Sequence, residues 1–232
     1  MTSDPQPGRA ILTVTPGSVL ESLKTREEGL TFWINTYNAL VAEGIGAFGI
    51  RRSVWEVEDF FGRISHRAGT LVFSADEIEH GVLRGNRPHP LSGAVSFQVG
   101  DPRQRYAINP PDARIHFAIS CGARSCPAVR SYHPAGLSEQ LDAATRIFVN
   151  QEVVQNGTAL IVSELFKWFR ADFDDLPGGL AGLLARYLED GPVRQAVLKE
   201  GVAHIAWRPY DWRLALPTPP DARQGESWTV PA

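Results

Sequence analysis

Cysteine is scarce in this chain: two thiols in 232 residues. That is too few for the disulfide framework of a small secreted domain. An excess of either charge is also missing, with 23 basic and 26 acidic side chains and a net charge of −3. Without a basic stripe, no nucleic-acid partner is expected. No apolar run approaches the roughly 18 residues of a membrane-spanning helix, so no membrane partner is expected either. The opening stretch MTSDPQPGRAILTVTPGS holds no apolar core of signal-peptide length. The expected compartment is therefore the cytoplasm, where the two thiols would be free. At 43% hydrophobic, the chain has enough apolar material for a proper core.

Little proline-free periodicity precedes residue 17, and residues 1–16 read as a loose lead-in. Residues 17–216 read as a single domain, and PTPPDARQGESWTVPA over 217–232 as a disordered tail. Within the domain, TFWINTYNALVAEG is an apolar helix that should stop at Gly44 and Gly46. TLVFS reads as a strand. Ser74 then opens an S-x-x-E capping box for the helix SADEIEHGVLRG, which ends at Gly85. Residues 86–111 form a long excursion with a possible strand VSFQV. ARIHFAIS is the clearest strand, LSEQLDAATRIFVNQ an amphipathic helix and TALIVS a second strand. SELFKWFRADF, GGLAGLLARYLED and GPVRQAVLKEG are helical; HIAW and DWRLAL could be closing strands. Helices outnumber strands with no regular βαβ alternation. The expected class is α+β, a predominantly helical single domain with a small mixed or antiparallel sheet.

The stretch RIHFAISCGARSCPAVRSYH carries both cysteines. Alternation over residues 114–120 puts His116, Ala118 and Ser120 on one face of a strand that leads into Cys121-Gly122. A turn there could aim backbone N–H groups, that of Gly122 included, at an anion or developing oxyanion. As a nucleophile, Cys121 needs an imidazole within reach. His116 is five residues off, roughly 16 Å along an extended strand at about 3.3 Å per residue. His80 is thus the better base. Cys121 and Cys126 could instead form a redox pair, although C-x-x-C is absent. The set His116, Cys121, Cys126 and His133 lacks the spacing of zinc motifs, and no metal or cofactor is expected.

Other polar residues lie in apolar elements. Asn35 and Asn38 share a helix face and need partners if buried, either neighbouring backbone or a catalytic side chain to orient. Glu79 is adjacent to His80, which shares a face with Asp76 and Arg84. Lys167 stands among aromatics and either snorkels outward or lowers a thiol pKa. Asp211, between Tyr210 and Trp212, either caps a turn or orients an imidazole.

Taken in order, FWINTYNAL, DEIEHGVLRG, DARIHFAISCGARSCPAVRSY, SELFKWFRADF and PYDWRLAL resemble the domain of unknown function 547 family. The resemblance covers roughly residues 20–216. It implies a family of bacterial and plant proteins without a settled activity. Its matching positions are Asn35, Asn38, Glu79, His80, Cys121, Cys126, Lys167, Trp168 and Asp211. Three functions stand open: a thiol enzyme of acyl transfer or amide hydrolysis, a non-catalytic binding module, and a Cys121/Cys126 redox pair. In the first, Cys121 is nucleophile, His80 base, and Asn35 or Glu79 an orienting group. Asn38, Gly122, Cys126, Lys167 and Asp211 would then serve binding. The partner would be a small molecule or peptide.

Overall fold

In the computed structural model, residues 9–157 and 159–215 are described. The expected tail and the first eight residues of the expected lead-in lie outside them. The rest of that lead-in is structured: β1 (Ala10–Thr15) pairs in parallel with β2 (Ile64–Ala68), which turns back antiparallel onto β3 (Leu71–Ser74). Between β1 and β2 come α1 (Gly17–Ser22), α2 (Arg26–Ala47), a 3-10 turn (Val54–Glu56) and α3 (Phe60–Arg63). A second mixed sheet orders β4 (Val154–Asn156), β5 (Ala159–Ser163) and β6 (Ile205–Arg208), with β5 parallel to β6. Its helices are α4 (Leu137–Glu152), α5 (Leu165–Trp168), α6 (Arg170–Asp174), α7 (Gly179–Tyr187) and α8 (Pro192–Glu200). The fold is α+β, as expected, with two small mixed sheets in place of one.

Each sheet belongs to its own apolar cluster. Trp33, Ile34, Leu40, Val41 and Ile45 of α2 fill the first, against Phe60, Ile64 and Phe73. Phe148, Val162, Phe166, Phe173 and Leu184 fill the second. The segment read as the clearest strand joins them, but it is a 3-10 turn, Ala113–Phe117, capped by the Asp112 carboxylate on the Arg114 N–H. Ile115 enters the first cluster; Ala113 and Phe117 enter the second. All of the turn but Arg114 is buried, so the alternation read over residues 114–120 did not mark one buried and one exposed face.

Other elements also depart from expectation for local reasons. VSFQV forms no strand: Phe97 plugs the core beside Gly81, where an added Cβ would stand 2.5 Å from the Phe97 ring. DWRLAL contributes only an isolated bridge, Leu214 to Ala123. SADEIEHGVLRG keeps its capping box between Ser74 and Glu77 but winds as a π-helix over Glu77–Leu83. One consequence is that Asp76, Glu79 and His80 all line the same cleft. Such π-turns concentrate at functional sites.

Helix α2 begins on a reciprocal Thr25–Glu28 capping box. It runs through both glycines where a stop was expected and ends instead before Gly49, whose φ of +63° suits the left-handed C′ position. Gly44 is there for contact: a Cβ would lie 2.7 Å from Ile64 Cγ2, whereas at Gly46 nothing lies within 4 Å. The two glycines should therefore respond oppositely to alanine. Gly46→Ala is expected to stabilise the fold by up to about 1 kcal/mol through helix propensity. Gly44→Ala is expected to lose that gain to overpacking worth about 1–3 kcal/mol. Urea midpoints of the two variants, one above and one below the parent, check this.

Candidate active site

Two asparagines of α2 hold the cysteine loop in place. Asn38 donates to the Ala118 carbonyl and accepts the Ser120 N–H, both at 2.9 Å. Asn35 treats Tyr132 the same way, at 2.9 and 3.0 Å. Each amide thus uses donor and acceptor together on backbone, satisfying groups that would be costly to bury alone. Asn35, expected to orient a catalytic group, meets the Tyr132 backbone instead. It positions the site without entering it.

Between these clamps the chain turns at Gly122, whose φ is +83° and whose Cβ would sit 2.7 Å from Ile45 Cδ1. The turn was expected to offer N–H groups to an oxyanion. Its N–H groups already have partners: Gly122 donates to Ser120 Oγ at 3.3 Å, and the Ala123 N–H bonds the Cys121 sulfur. The N–H groups of Arg124, Ser125 and Cys126 go to the carbonyls of Arg213, Asp211 and Ala123.

The loop's donors converge on sulfur instead. Cys126 Sγ accepts the Cys121 N–H at 2.9 Å and contacts the Tyr210 hydroxyl at 2.9 Å, while Cys121 Sγ lies 3.5 Å from the same hydroxyl. Both thiols are free and half-buried. Burial pushes the Cys121 thiol well up, and the neighbouring Cys126 sulfur pushes it further. Burial acts on Cys126 too, but hydrogen bonds from Cys121 and Tyr210 outweigh it and bring this thiol down to about 6. Of the two sulfurs, Cys126 receives the closer hydrogen bonds and is the one whose pKa is lowered, whereas that of Cys121, the nucleophile expected from position, is raised.

These sulfurs open onto a cleft of about 220 Å³. Glu79 lines it, holding the Tyr37 hydroxyl at 3.0 Å. Burial and the nearby Asp76 raise the Glu79 carboxyl to about 7, and burial likewise raises Asp76 to about 6. His80 is buried there, T-stacked on His89 with ring centroids 4.3 Å apart. Arg84 Nη1 sits 3.0 Å from His80 Nδ1. A guanidinium only donates, so His80 accepts at Nδ1 and carries its proton on Nε2. His89 Nδ1 accepts the N–H groups of Leu91 and Ser92, which fixes the same tautomer. Burial pushes the His80 pKa well down, reinforced by His89 and Arg84.

Asp76, His80 and His89 each bring a ligand-type atom within 4.8 Å of the others. A metal-bound imidazole uses one nitrogen's lone pair and donates from the other. Here both Nδ1 atoms already accept hydrogen bonds and both Nε2 atoms hold protons. The pair offers donors, a polarity that fits an oxygen acceptor better than a metal ion.

A residue set aside on strand geometry completes the wall. The 3-10 turn brings His116 into the same cleft as Cys121 and Cys126. Its Nε2 donates to Asp172 Oδ2 at 2.8 Å, and its ring stacks on Phe169 with centroids 3.9 Å apart. That fixes the proton on Nε2 and leaves Nδ1, fully buried, as an acceptor without a partner. Burial lowers the His116 pKa despite Asp172, so the ring is neutral. Asp172 also takes Arg84 Nε and Nη2 at 2.6 and 3.1 Å, and Arg87 Nη1 at 3.1 Å.

Other expected residues lie elsewhere. Lys167 is exposed and reaches Glu164 at 3.7 Å, so it neither lines the cleft nor acts on a thiol. Asp211 caps its own turn through Arg213, while its N–H binds Ser125 Oγ. His133 is exposed. Tyr210 and Asp172 were not foreseen; each depends on a contact across more than fifty residues that no local pattern announces.

The family described as "Protein of unknown function, DUF547" matches residues 20–149, just over half of the chain. That span includes Asn35, Glu79, His80, His116 and both cysteines and stops short of Asp172 and Tyr210. No curated protein matches, and no solved structure does.

The Asp172 cluster makes a stability prediction. Asp172→Asn would leave Arg84 buried without its counter-charge, at an expected cost of about 3–5 kcal/mol. Burial opposes the charged form of Asp172, but the bonds from His116 and Arg84 win and hold its carboxyl far below the usual range. A depressed folded-state pKa gives stability that is present above an ordinary aspartate pKa of about 3.9 and lost as pH falls below it. Urea unfolding from pH 7 down to 3 should show that acid loss in the parent and much less of it in Asp172→Asn.

Proposed function

The chain belongs to the DUF547 family, and we propose that this member is a thiol-dependent enzyme that transfers or hydrolyses acyl groups through Cys126. The observation that carries the reading is the convergence of the Cys121 N–H and the Tyr210 hydroxyl on one half-buried sulfur that opens onto a cleft. Donors aimed at a sulfur stabilise its anion, and the anion is the nucleophile.

In this reading the Cys126 thiolate attacks a carbonyl carbon, and a carbon–sulfur bond forms as the carbonyl oxygen takes up negative charge. The Nε2–H groups of His80 and His89 are the donors for that oxygen, in place of the turn that was expected to supply them. His80 is thereby a donor and not a base, because Arg84 occupies its Nδ1. When the tetrahedral species collapses, the bond to the leaving amine or alkoxide breaks. In the second step water or another acceptor attacks the acyl-sulfur carbon and gives its proton to His116 Nδ1; collapse returns Cys126 as thiolate. His116 is neutral when the first leaving group departs, so that group takes its proton from water and leaves a hydroxide; the proton later taken up by His116 neutralises this hydroxide, and the cycle closes without net proton change at the site. Asp172 holds the imidazole tautomer, the role a carboxylate plays in catalytic triads.

A second reading, the dithiol redox pair, is favoured by one observation: both sulfurs contact a single hydroxyl. The two readings part at Cys121, which the redox pair needs and acyl transfer does not.

Alkylation by iodoacetamide tests the thiolate. The thiolate fraction grows as pH rises through the thiol pKa. The rate should therefore show a midpoint near 6 and level off by about pH 7, where an ordinary cysteine with a pKa of about 8.5 would still be rising. Cys126→Ser should abolish the low midpoint, and Cys121→Ser should keep a reactive thiol. A single midpoint above pH 8, or reaction at Cys121 first, would remove the basis for the reading.

A further inference from the structure

The residues lining the cleft are of two kinds. One is a bank of rings: Trp168 lies 4.9 Å from Tyr210 and 5.7 Å from Trp212, and Trp55 lies 4.7 Å from Trp212. The same cleft is lined by two carboxylates, Asp76 and Glu79. Among the described residues, no lysine or arginine lines the cleft. Arg84 does not line it; its guanidinium is taken up by Asp172 and by His80 Nδ1. His80, His89 and His116 all have lowered pKa values, so the imidazoles add no positive charge at neutral pH.

Burial is costly to the charged form and raises the pKa values of both carboxyls, and the charges of Arg9 on Asp76 and of Arg84 on Glu79 do not offset it. A ligand cation would relieve that cost. His116, which also lines the cleft, holds a buried Nδ1 without a partner, a further acceptor beside the carboxylates. Two carboxyl groups and an unpartnered imidazole nitrogen in a cleft that also presents apolar ring faces describe a ligand with a cationic N–H head and a carbon chain.

We propose that the cleft takes a substrate bearing an alkylammonium group, its head toward Glu79, Asp76 and His116 Nδ1 and its chain along Trp168, Tyr210 and Trp212. This names a substrate class for the acyl-transfer site and rests on that reading only for the chemistry that follows binding. The alternative chemistry the site could favour is an anion, drawn by the Nε2–H groups of His80 and His89.

Titration of tryptophan fluorescence with n-butylammonium, n-butanol and butyrate separates these cases, using the full chain and its Cys126→Ser variant. The ammonium is expected to bind about tenfold more tightly than the alcohol, and butyrate more weakly still. The order should be the same in Cys126→Ser, so a failure of thiol chemistry would leave this result standing. The preference for ammonium over alcohol should shrink to about twofold or less in the isosteric Asp76→Asn/Glu79→Gln double variant. Equal binding of ammonium and alcohol, tighter binding of butyrate, or no binding of the ammonium would overturn the proposal.

Discussion

Everything in the cleft depends on how one buried carboxylate is satisfied. Asp172, 5% exposed, accepts from Arg84, Arg87 and His116 together. An isolated carboxylate at that depth would cost several kcal/mol, and only a full set of charged donors makes it tolerable. Those donors come from two segments distant from α6, which carries Asp172: the end of the π-helix with the residues just after it, and the 3-10 turn. The Arg84 guanidinium that answers Asp172 also reaches His80, so one ion pair fixes the tautomers of both imidazoles. Phe169 fills the space between them, stacked on His116 and lying under Arg84 at 5.2 Å.

The two apolar clusters give that network its rigidity. The turn Ala113–Phe117 sends alternate side chains into different cores and leaves His116 between them, where its ring has no freedom to swing. On the other side of the cleft, Asn35 and Asn38 pin the cysteine loop to α2, and residues 210–214 cross over that loop with backbone bonds at Arg124 and Ser125. Tyr210 arrives by this crossing. The Cys126 sulfur is thus held by elements from both halves of the chain, and preorganised donors of this kind do not have to reorganise when charge forms.

How far the sequence could be read follows from where each signal lives. The helices with caps and one-sided periods, such as α4 and the Ser74 capping box, were legible because their determinants are local. The family resemblance and the α+β class were legible too, and the two cysteines, Glu79 and His80, grouped from sequence, line one cleft. His116 was misplaced because a buried 3-10 turn and a buried strand show the same apolar run. Gly44 and Gly46 looked alike in sequence, yet one packs on Ile64 and the other faces solvent. The choice between Cys121 and Cys126 could not be made at all without Tyr210, more than eighty residues away, because hydrogen bonds from other segments decide which sulfur ionises.

The central claim is that Cys126 forms an acyl intermediate which His116 helps to discharge. Intact-mass and peptide-mapping analysis after brief exposure to an activated aryl acetate tests it most directly. The account expects a single acetyl group on Cys126 that decays with time in the parent chain and persists in His116→Asn. Acetyl on Cys121, on neither thiol, or lost equally fast from His116→Asn would contradict it.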